Sequence, residues 1–216
     1  DIVLTGARTL TSAGNLTLDA SVGKISGTST LNLDATGDIN INDSLTTASS
    51  ITITADNDGA GLGDFNLASG AELNSGGTQI NLEANDVSLL GTINAGIANL
   101  LLWTSDSDPL NGTIGLGNVS GEGMSISGAE LQNITAAELH LGHADSGSIV
   151  VNGITSANSA NITNNVLLQA TGDDKSVTFN ETASSFRTLT VNADNGITVG
   201  SDLTVTVGNL TLDADV

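Results

Sequence analysis

Apolar residues recur along this chain as pairs that skip one position. In order they are Ile2/Leu4, Leu16/Leu18, Leu31/Leu33, Ile39/Ile41, Ile51/Ile53, Phe65/Leu67, Ile80/Leu82, Val87/Leu89 and Leu100/Leu102. The series continues through Ile114/Leu116, Met124/Ile126, Leu139/Leu141, Ile149/Val151, Val166/Leu168 or the frame one residue on, Val177/Phe179, Leu189/Val191, Ile197/Val199, Leu203/Val205 and Leu210/Leu212. Both members of such a pair project to one side of an extended strand, and the residue between them projects to the other. Gly, Asn, Asp and Ser, which allow tight turns, break the alternation after a few residues. No stretch sustains a 3.6-residue period. The best helical candidate, Ile134–Leu141, contains Ala-Ala-Glu-Leu but is short and followed by Gly142. One such strand buries too little apolar area to stand alone, so the pattern asks for like strands above and below it.

The strands share a tail. LTLDASVGKI, LNLDATGDI, ITITADNDG, INLEANDV and LTVNADNGI each run from an alternating strand through a small residue into an Asp/Asn/Gly corner. Their starts often recur at intervals of roughly 20 residues, a period characteristic of solenoids, propellers or arrays. A propeller blade needs about 40 residues and a signature of its own. Two or three short strands per interval fit a right-handed parallel β-helix of about ten coils of roughly 20 residues. At about 4.8 Å per rung the rod would measure about 50 Å. First and third strand residues fill the interior; the middle ones, such as Thr17, Asn32, Thr52, Asn81 and Thr190, face out. Residues 1–216 read as one segment, with 56–64 and 104–112 as longer loops or bulged corners.

Composition narrows the class. Aromatic residues make up only 2% of the chain, which suits a narrow aliphatic core better than a wide one. The net charge is −20, with Arg8, Lys24, Lys175 and Arg187 as the fixed cations. Convergent cations for a phosphate backbone are lacking, and an anionic membrane surface is disfavoured for the same reason. With no Cys there is no disulfide or thiolate chemistry. No run of eighteen apolar residues is present, so membrane insertion as a spanning helix is not expected.

The chain opens on Asp1 and ends within the pattern, so it reads as an uncapped part of something longer. Residues 14–22, GNLTLDASV, and 208–216, GNLTLDADV, differ at one position. They suggest either a shared coil consensus or a long repeat beginning again. Open first and last coils would present Ile2, Leu4, Leu210 and Leu212 for end-to-end stacking, with flanking coils or a second copy as partner.

Residues 129–154, AELQNITAAELHLGHADSGSIVVNGI, resemble a segment that recurs in filamentous-haemagglutinin-like proteins, the giant surface adhesins of two-partner secretion systems. The resemblance rests on Ala129–Leu131, Ile134–Ala136, Leu139, Leu141–Gly142 and Gly147–Val151. It implies a β-helical shaft exported to the bacterial surface or beyond. The NPNG-like motifs of that family's secretion domain do not occur here, so the segment would be shaft.

Candidate chemistry is sparse. Enzymes on parallel β-helices need carboxylates clustered with Arg or Lys in a cleft. Here the acids sit singly at corners, Lys175 and Arg187 read as surface cations, and no catalytic set emerges. A non-enzymatic structural role follows, with a carbohydrate-binding or polysaccharide-degrading β-helix as the alternative. His140 and His143 have HxxH spacing but would diverge from a strand and its corner. In the loop DNDGAGLGD, Asp56, Asp58 and Asp64 offer oxygen ligands with glycines to bend the chain, as calcium requires. Asp106/Asp108 and Asp173/Asp174 are weaker versions. No other cofactor is indicated. Trp103 should face outward, where it either marks a lateral contact or is covered by the 104–112 loop. The expected partners are therefore other coils of the same kind, and host or cell-surface glycans.

Overall fold

The computed structural model describes residues 1–21, 23–105 and 112–216. They form a β-solenoid of about nine turns in which every strand pair is parallel. The first face carries nine rungs: Arg8–Ser12, Leu31–Ala35, Ile51–Thr54, Ile80–Ala84, Leu100–Thr104, the second half of Ile134–Leu141, the second half of Ile162–Ala170, Leu189–Ala193 and Leu210–Asp213. Turn length varies widely. Asn32 hydrogen-bonds the residue one rung away across 23 positions of sequence, whereas Asn99 and Glu138 span 39.

Register explains the alternation. Leu33, Ile53, Leu82, Leu102, Leu141, Leu168 and Val191 stack in one column and are all buried. The buried aliphatics form one contiguous cluster from Leu18 to Ala193. Each fully buried Leu or Ile contributes roughly 2 kcal/mol, so the strength of the rod comes from repetition. Outward positions form polar columns. Asn66 Nδ2 donates to Asn40 Oδ1 at 3.2 Å, and Asn165 Nδ2 to Thr190 Oγ1 at 3.2 Å.

The second face begins with Leu16–Leu18, Ile39–Ile41, Phe65–Leu67 and Val87–Leu89. It resumes as a separate sheet in the order Met124–Ile126, Ile114–Gly117, Ile149–Asn152, Val177–Phe179 and Ile197–Val199. The chain therefore lays Ile114–Gly117 against the rung above, doubles back, and sets Met124–Ile126 beneath it. In this turn alone the second face carries two strands where the first carries one. A short helix, α1 (Gly128–Gln132), follows the reversal. Glu130 N donates to Ser127 Oγ and Ser127 N to Glu130 Oε2, a reciprocal cap. The helix overlaps the start of residues 129–154, where the pattern suggested strand and turn. Ile134–Leu141, the stretch of greatest helical character in sequence, is a strand.

The third face is made of Ile2–Leu4, Ile25–Gly27, Leu45–Thr46, Glu72–Asn74, Thr92–Asn94 and the start of Ile134–Leu141. It continues at Ser184–Phe186 and Leu203–Val205 as a separate pair. Several of these strands bury a single apolar side chain, such as Leu73 or Ile93.

The near-identical nonapeptides occupy different faces. Leu16–Leu18 lies on the second and Leu210–Asp213 on the first. Their likeness reflects a rung consensus, and the two do not mark the same point of a repeating turn.

Candidate functional surfaces

One corner of the solenoid is a ladder of side-chain acceptors. Asn15, Asp38, Asp64 and Asp86 each precede a second-face strand, in successive turns. Asn15 Oδ1 accepts from Asp38 N at 3.0 Å, Asp38 Oδ1 from Asp64 N at 3.1 Å, and Asp64 Oδ1 from Asp86 N at 3.2 Å. Asp86 Oδ1 accepts from Ser125 N at 2.8 Å and from its neighbour Val87 N. These side chains satisfy corner amides that the ladders leave free. At the sheet break the same task falls to other side chains. Leu89 N donates to Glu130 Oε1 at 3.1 Å, and Asn133 Nδ2 donates to Leu89 O at 2.8 Å. Side chains thus bridge the place where the chain reverses.

The proposed calcium loop is built differently from a cation site. Asp56 is buried, with φ of 60°, and its carboxylate faces donors. It accepts from Gly61 N at 2.9 Å, Leu62 N at 3.4 Å and Ser105 Oγ at 2.7 Å. Asp58 Oδ1 accepts from Ala60 N, and Asp64 belongs to the corner ladder. Among the described residues no group of three or more acidic, His or Cys side chains is placed to hold a metal, so Asp56, Asp58 and Asp64 are not brought together. Amides of the loop itself, absent from any motif, take lone pairs of Asp56 and Asp58. Asp173 and Asp174 sit at a turn where Asp174 N donates to Asp194 Oδ2. Asp106 and Asp108 lie outside the described residues.

Trp103 does face outward, half-buried, at the end of its first-face strand and in register with Glu83. Its ring stands 5.8 Å from that of His143, tilted by 35°. His143 Nδ1 lies 3.3 Å from Asp145 Oδ2, while His140 Nε2 lies 3.0 Å from Glu138 Oε2. The two histidines therefore diverge toward different acids, as their strand and corner positions imply. Burial pushes the Glu83 carboxyl above its usual range, and a hydrogen bond with Trp103 and the nearby His143 partly oppose this. Among the described residues neither Lys175 nor Arg187 forms an ion pair; Arg187 Nε donates to Thr163 O at 3.3 Å.

The ends are open. Leu210 and Leu212 remain 43% and 44% exposed and line a hollow of about 380 Å³ with Val199 and Leu203. At the other end Ile2 and Leu4 are partly buried against the core. Arg8, however, stands in register with buried Leu31, at an inward position of the first-face edge strand. Its guanidinium turns to Ala7 O at 2.8 Å. An inward charge on an edge strand weakens pairing there, a feature the alternation analysis passed over because Arg8 belongs to no apolar pair.

No protein-family model, curated protein or solved structure matches the chain.

Burial also pushes the Asp86 carboxyl up from its usual range, against the two backbone amides that favour its charge. An acid whose folded value is raised binds its proton more tightly folded than unfolded. Its stabilising contribution is complete below the unfolded value and is lost as pH rises through the folded one. The thermal midpoint should therefore climb as pH is lowered from neutral toward about 4, the ordinary carboxyl range. Asp86→Asn retains an oxygen to accept both amides and should flatten part of that slope. A variant with the wild-type slope would remove Asp86 from the account.

Proposed function

We propose that this chain is a rigid structural segment of an extracellular bacterial filament or giant surface adhesin, of the filamentous-haemagglutinin-like kind. The observation that carries the reading is the first face: nine parallel rungs over a filled aliphatic column. Such a column resists bending, because each rung is hydrogen-bonded along the axis and its side chains are packed to crystal-like density. The acidic outer surface keeps neighbouring rods apart in solution. The partner at the open ends is another coil of the same kind, in the same chain or a second copy. The apolar hollow around Leu210 and Leu212 is the better joining surface, since Arg8 blunts part of the opposite edge. Nucleic acid and membrane insertion have no place in this reading, and the chain works without catalysis.

Sedimentation and negative-stain microscopy across a concentration series test it. Rods should lengthen with concentration, and Leu210→Asp should hold the chain as single short rods. A monomer indifferent to concentration would sink the end-to-end joining.

A carbohydrate-binding β-helix module is the second reading. The outward Trp103, flanked on its face by Leu101 and Glu83, favours it as a shelf on which a sugar ring could stack.

A further inference from the structure

The second face carries no strand pairing across the place where the chain reverses. Val87–Leu89 ends one sheet and Met124–Ile126 begins the next. At the same height the other two faces are continuous. Leu100–Thr104 on the first face pairs with the rungs on both sides of it, and on the third Ile93 and Asn94 stand in register with Ile134 and Thr135. The rod is therefore split along one side.

Side chains close the split. One rung below it the ordinary ladder runs, with Leu67 O accepting from Leu90 N. At the split, Leu89 N donates to Glu130 Oε1 at 3.1 Å and Leu89 O accepts from Asn133 Nδ2 at 2.8 Å. From the other edge Ser125 N donates to Asp86 Oδ1 at 2.8 Å. Glu130 is also committed to the helix, since its Oε2 accepts from Ser127 N at 2.9 Å and from Ser127 Oγ at 2.8 Å. One carboxylate thus holds both the seam and the cap of α1. Asp86 and Glu130 repel each other, and no Lys or Arg occurs between Lys24 and Lys175 to relieve them. Water competes for such half-buried side chains more readily than for a backbone ladder, so this closure opens at lower cost than the rungs beside it. Leu89, Met124 and Ile126 are fully enclosed when it is shut. Their contact keeps the open form a minority state.

We infer that the seam is a joint in the rod: the second face opens between Val87–Leu89 and Met124–Ile126, with α1 as its latch, while the first and third faces stay paired as the hinge. A shaft that is stiff elsewhere bends at this turn, and in one direction. The joint is a property of the single chain, so it stands or falls independently of end-to-end joining.

The test is native-state hydrogen exchange on the intact chain, read residue by residue. Leu89, Phe65 and Ile149 are all 0% exposed, so burial in the closed form does not separate them. Phe65 N donates to Asp86 O and Ile149 N to Ser176 O, both at 2.9 Å, in unbroken ladders of the same face. Leu89 and Ser125 should share one protection factor, because one opening frees both, and it should lie about tenfold or more below those of Phe65 and Ile149. Glu130→Ala should lower the shared value about tenfold further and leave Phe65 and Ile149 unchanged. Asn133→Ala, which keeps the Glu130 cap in place, should act in the same direction and decides the matter should Glu130→Ala fail to fold. Equal protection at all four amides would overturn the proposal, as would separate opening of Leu89 and Ser125. Variants that leave the seam unchanged, or that accelerate all four amides alike, would overturn the assignment of the latch.

Discussion

Gly142→Ala should destabilise the solenoid by about 3 kcal/mol or more, whereas Gly70→Ala should cost about 1 kcal/mol. The two glycines have nearly the same φ, 89° and 83°. In both, an alanine must enter the left-handed region, which is unfavourable by roughly 1–2 kcal/mol. Their surroundings differ. Nothing lies within 4 Å of a Cβ at Gly70, while a Cβ at Gly142 would stand 2.2 Å from Gln169 O and 3.2 Å from Ile149 Cδ1. Gly142 sits where the first face turns its corner, and its own N–H donates to Leu102 O at 2.9 Å. The methyl can be relieved only by separating this corner from the rung above, because the obstacle is backbone. Urea unfolding of the two variants measures the difference directly. Equal losses would mean that strain alone matters and that the corner yields freely.

Phe179→Ala should cost about 3–5 kcal/mol, the range for emptying a buried aromatic site. Phe179 is fully enclosed and stacks in register between Val151 below and Val199 above. Both neighbours are smaller, so neither can fill the space. A solenoid couples each rung mainly to the next. The damage should therefore be local: amides of residues 177–199 should lose hydrogen-exchange protection, while those of 31–102 keep theirs. Ile97→Ala, at a side chain 90% exposed, should change nothing measurable. A uniform loss of protection after Phe179→Ala would show one cooperative unit and contradict nearest-neighbour coupling.

These two sites differ in how far sequence revealed them. Phe179 belongs to an apolar pair and was legible as core from the alternation. Gly142 was recognisable as a corner residue, but its conflict with Gln169 O, across the intervening turn, depends on which rung lies above it. The same division runs through the candidate sites. Asp56, Asp58 and Asp64 have the spacing of oxygen ligands, yet Asp56 is occupied by loop amides and Asp64 by the next rung.

By itself the sequence determined that this chain is a stack of short strands around an aliphatic column. The reason is local: two inward side chains on one strand must straddle an outward one, and that spacing is visible wherever it occurs. It marked most rungs of the first and second faces in this way, though not Arg8–Ser12, and the outward position of Trp103. The third face was fainter, because strands such as Glu72-Leu73-Asn74 bury one side chain and leave no pair to see. Tertiary structure alone decided the order of the stack. Ile114–Gly117 and Met124–Ile126 carry the same local pattern, and nothing in either says that the later strand lies beneath the earlier. That choice is made by Asp86, Glu130 and Asn133 reaching across the break, contacts whose partners are set by the fold and whose spacing in sequence is arbitrary.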